Sequence, residues 1–80
     1  MTNEPTRKAY TMTQKDGPSW HFTPEAAAVL GLPGMMVFTA AVGKTVKSGM
    51  TEISFKGYGL FAVARHGRSI KVNLIEKESV

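Results

Sequence analysis

Apolar and polar positions alternate in the first part of the chain and again in its last third, and they fuse into one apolar block between. From Lys8 to Lys15, Tyr10 and Met12 fall on one side and Thr11 and Thr13 on the other, the pattern of a half-buried strand. Asp16-Gly17-Pro18-Ser19 is a turn cluster, and Trp20-His21-Phe22 is a short strand whose two aromatic rings share a face. From Met50 to Lys56, Ile53 and Phe55 alternate with Glu52, Ser54 and Lys56. Gly57-Tyr58-Gly59 then breaks the strand. Leu60 to Arg65 and Ser69 to Ile75 flank His66-Gly67, read as a two-residue hairpin loop. That register sets Arg65 opposite Arg68, Val63 opposite Ile70 and Phe61 opposite Val72. Ala62, Ala64, Ser69, Lys71 and Asn73 take the other side.

The block between has a helix start with a mechanism. Thr23 accepts from free N–H groups, Pro24 is pre-set for the first helical position, and Glu25 complements the positive end of the dipole. Ala26 to Leu30 continue the helix until Gly31, which suits the left-handed conformation that ends one. A tight Leu32-Pro33-Gly34 corner should follow. Met35 to Val42 is apolar on both faces and reads as a strand covered on both sides, ahead of a polar loop from Gly43 to Gly49.

These elements describe a β-rich α+β domain, a small curved antiparallel sheet or partly open barrel of about five or six short strands with one short helix. Residues 8–76 form the globular domain, with a flexible arm at 1–7 and a tail at 77–80. The expected core is Trp20, Phe22, Val29, Leu30, Val37, Phe38, Ile53, Phe55, Phe61, Val63, Ile70, Val72 and Leu74. A chain of 80 residues buries only about 60% of its unfolded surface, so self-association is one route to added stability.

Charge changes the picture most. The net charge is +4, and residues 43–71 alone hold Lys44, Lys47, Lys56, Arg65, Arg68 and Lys71 against Glu52. An anionic partner, nucleic acid or an acidic protein surface, should therefore meet the C-terminal β part. Two arginines facing each other at a hairpin tip would repel unless an anion lay between them. Cysteine is absent, which fits a reducing, cytoplasmic setting and leaves no disulfide or thiolate metal site. No secretory signal opens the chain, and the run Met35 to Val42 is too short to span a bilayer, so no membrane association is expected.

Motifs of chemistry are thin. Gly43-Lys44-Thr45 resembles the end of a phosphate-binding loop, but Phe38 stands where its first glycine belongs. Gly57-Tyr58-Gly59-Leu60-Phe61-Ala62, with Glu76 downstream, resembles a dinucleotide fingerprint, yet too little chain remains for the other parallel strands and crossovers. His21 and His66 have no visible metal-ligand set around them, and no serine sits in a nucleophile motif. No enzyme activity and no cofactor are expected. Phe22 to Leu32, Phe-Thr-Pro-Glu-Ala-Ala-Ala-Val-Leu-Gly-Leu, resembles the first helix and turn of helix-turn-helix domains. A second helix would have to run from Pro33 to Lys47, which includes Gly34, Gly43 and several β-branched or aromatic residues. The same stretch is similar to the swapped-hairpin transition-state regulators, with helix and loop each one residue short.

The resulting expectation is a small basic binding module for DNA or RNA. Its surface would be Lys44, Lys47, Lys56, Arg65, Arg68 and Lys71, with Tyr58 as a stacking group. The alternative is a small interaction protein of the phage-inhibitor type that captures an acidic surface of a host complex.

Overall fold

The structure is a computed structural model that describes residues 10–13 and 15–78. The expected arm at 1–7, the first residues of the expected first strand at 8–9 and the end of the expected tail at 79–80 lie outside the described residues. The elements run β1 (Tyr10–Thr13), β2 (Ser19–Phe22), α1 (Pro24–Val42), β3 (Gly49–Phe55), β4 (Gly59–His66) and β5 (Ser69–Lys77). The strands form one sheet in the order β1-β2-β5-β4-β3. Only β2 and β5 pair in parallel; the other pairs are antiparallel. The α+β, β-rich class is the one read from the sequence, with the sheet open and mixed.

The helix begins where its capping residues put it. Thr23 Oγ1 accepts from the Ala26 N–H at 3.3 Å, Pro24 opens the first turn and Glu25 sits in it. Gly31 breaks the helix with φ 68 and ψ 168, a conformation essentially confined to glycine. Beyond that break the helix resumes, which corrects two sequence expectations. Leu32-Pro33-Gly34 is not a corner, because Pro33 falls in the first turn of the second segment, where its missing N–H costs nothing. Met35 to Val42 is helix rather than strand. An apolar run of this length has no period to separate the two, and Met35, Met36, Ala40 and Ala41 are good helix formers.

One face of a five-stranded sheet needs a cover, and α1 supplies it. Leu30, Met35, Phe38 and Val42 point inward against Trp20 and Phe22 of β2, Phe61 and Val63 of β4, and Ile70 and Val72 of β5. The Phe38 ring lies at the centre, with ring centroids 5.0 Å from Phe55, 5.2 Å from Phe61, 6.2 Å from Phe22 and 6.3 Å from Trp20. Val37, assigned to the core on a strand reading, is exposed, because in a helix its neighbour Phe38 takes the inward direction alone.

The β4–β5 hairpin carries the third correction. Its loop is Gly67-Arg68, closed by the pair His66 and Ser69, so Arg65 faces Ile70 and not Arg68. Gly67 has φ 63 at the first loop position, where a type II′ turn wants glycine; a loop starting at His66 would put that demand on histidine. Val63 accordingly pairs with Val72 and Phe61 with Leu74, and only beyond Phe61 does an irregularity shift the ladder, setting Leu60 against Glu76. Each partner moved by two residues, which preserves the faces, so the predicted apolar side is the buried side.

Candidate nucleic-acid interface

Three connections meet at one end of the sheet. Thr13 pairs with Ser19 and Ser19 lies beside Ser69, which sets the β1–β2 turn next to the β4–β5 loop. Gly49 pairs with Arg65, which brings the end of the α1–β3 loop to the same edge. Lys15 comes from the first connection, Lys44 and Lys47 from the α1–β3 loop, and Arg65 and Arg68 from the hairpin end; Asp16 is the one acid in these connections. Lys15, Lys44, Lys47 and Arg68 are exposed and Arg65 is half-buried.

The arginines stitch this end together. Arg68 donates from Nη2 to the Gly17 carbonyl at 3.0 Å, and its own carbonyl accepts from the Ser19 N–H at 2.7 Å. Arg65 donates from Nη1 to the Val46 carbonyl and from Nε to the Gly67 carbonyl, both at 3.2 Å. The β4–β5 loop is thereby tied to both neighbouring connections. A guanidinium has five N–H donors, so Arg68 keeps most of its own for an outside acceptor. A groove of about 300 Å³ lined by Pro18, Trp20, Thr39, Ala40, Gly43 and Lys44 opens between the β1–β2 turn and the end of α1.

The other sequence-derived site residues are placed differently. Lys71 is exposed on the face of the sheet that no helix covers, beside His21 and opposite Ala64. Lys56 lies in the β3–β4 turn at the opposite end, and so does Tyr58. The Tyr58 ring stacks on Phe55 with centroids 5.1 Å apart and packs so closely that a Cβ on Gly34 would come within 3.2 Å of it. It is part of the core edge, not a free platform. The uncovered face carries Thr11, His21, Glu52, Ser54, Ala62, Ala64, Lys71 and Asn73, and no Phe, Tyr or Trp among the described residues.

Lys15 is the cation that sequence reasoning did not include. Nothing local signals it, since its place depends on the parallel pairing of β2 with β5, which joins Ser19 to Ser69. Among the described residues no group of three or more His, Asp or Glu side chains could hold a metal ion. The fingerprint-like Gly57 to Ala62 runs straight into β4, so it lacks the helix N-terminus that would receive a pyrophosphate. A second helical segment does follow the Thr-Pro-Glu-Ala-Ala helix. Its exposed residues are all apolar, and it offers nothing to base edges or phosphates. No protein family, curated protein or solved structure matches this chain.

Proposed function

We propose that the chain is a nucleic-acid-binding module that engages the phosphate backbone of a duplex through its basic end. Lys44, Lys47 and Arg68 meet phosphate in this reading, Lys15 adds to the field, and Arg65 holds the loop in place. The observation that carries it is the convergence of cations from three separate connections around a single acid. Fixed positive charge grouped in this way attracts polyanions and releases their counterions. Among the described residues the uncovered face has no aromatic platform and Tyr58 is committed to the core edge, which argues against single-strand binding by base stacking. Phosphate contacts fix position without reading bases, so sequence preference is weak.

The Lys44→Ala/Lys47→Ala double variant tests the site. Its log affinity for a labelled duplex should fall less steeply with log salt than that of the native chain, by about 1.8 for two lost phosphate contacts. Lys56→Ala, at the opposite end, should leave the slope in place. A double variant with the native slope would remove the basic end from the reading.

A further inference from the structure

From Ala26 to Gly43 the helix and its end carry no charged residue, and the outward side of the second segment is apolar throughout. Leu32 is 56% exposed, Met36 55% and Val37 56%, with exposed Pro33, Ala40 and Ala41 around them. Single exposed apolar side chains are ordinary, but these fall in two adjacent rows, 32-36-40 and 33-37-41, at the four-residue spacing of one helix face. A helix that is apolar all round is normally buried all round. The sheet covers half of this one.

We infer that the outward face of α1 is the interface for a second copy of this chain, packed antiparallel across a two-fold axis between Met36 and Val37. In that register Met36 faces Val37 of the second copy, Leu32 faces Ala41 and Pro33 faces Ala40, so away from the axis each larger side chain meets a small one. A two-fold interface must be complementary to itself, and this face is. Charge selects the same direction. The segment that carries this face, 32–42, has no charge of its own and is followed by Lys44 and Lys47. Antiparallel copies keep the two pairs of lysines at opposite ends of the interface, whereas parallel copies would crowd four lysines together. The pairing also adds burial to a domain of 80 residues, where one core is thin. At 19 residues with a mean hydropathy of 1.6, α1 also matches a bilayer span in length and composition. Its inward side chains form the core with the sheet, so only one face of the helix, and not its whole circumference, is open to a partner.

Sedimentation of the full chain decides the matter. The native chain should sediment at the mass of two copies rather than 8.7 kDa, and Val37→Glu should sediment at half the native mass with Trp20 fluorescence unchanged. Because the chain has no cysteine, single cysteines report the register directly. Mixed Met36→Cys and Val37→Cys chains should form a disulfide under mild oxidation, and Lys44→Cys should not cross-link to itself. A monomeric native chain would overturn the inference, as would a dimer that Val37→Glu leaves intact. So would a monomer that binds phosphatidylserine vesicles in a manner abolished by Val37→Glu, which would assign the face to lipid.

Discussion

At the hairpin end, Arg68 gives a guanidinium N–H to Gly17 while its own carbonyl takes the Ser19 N–H, and Arg65 reaches Val46 across the β3 side. Neither contact removes charge, so residues that fasten three connections also hold the positive field where those connections meet. Gly31 is the residue whose backbone matters most. Replacing an interior helix glycine with alanine ordinarily stabilises by about 1 kcal/mol. Here φ 68 and ψ 168 exclude a side chain, and forcing one into that region costs on the order of 1–3 kcal/mol. Gly31→Ala should therefore destabilise the fold by about 2 kcal/mol in urea denaturation, and a more stable variant would show that the break is dispensable.

At the scale of elements, the decisive one is the second half of α1. On a strand reading Val37 and Phe38 point to opposite faces of a sheet covered on both sides; in the helix they are about 100° apart, so Phe38 turns into the core and Val37 stays exposed. Phe38→Ala should cost about 4 kcal/mol, since it empties the centre of the ring cluster. Val37→Ala should change stability by no more than about 0.5 kcal/mol when measured dilute enough to keep the chain monomeric. Equal effects would contradict the helix. The start of α1 was legible because Thr23, Pro24 and Glu25 act locally, and so was the stop at Gly31. The state of Met35 to Val42 was not, because an apolar run without polar punctuation fits either period and the sheet beneath it decides. The faces of β4 and β5 were legible through alternation, while their register depended on which loop residue takes positive φ.

At the scale of the molecule, the mixed sheet is what assembles the candidate site. Parallel pairing of β2 with β5 carries the β1–β2 turn to the β4–β5 loop and adds Lys15 to Lys44, Lys47, Arg65 and Arg68. The same topology sends Lys56 and Tyr58 to the far end, so the charge that composition assigned to one broad β surface is divided between two ends and an uncovered face. Charge clustering was visible in the sequence; its division was not, because it follows from a pairing between residues far apart along the chain. The most direct measurement is the affinity of the full chain for labelled double- and single-stranded DNA of equal length, titrated at about 50 and 200 mM salt. Duplex should bind more tightly than single strand at both salts, with affinity falling steeply between them. Absence of binding at the lower salt, or a preference for single strands that resists salt, would contradict engagement of phosphate through the basic end.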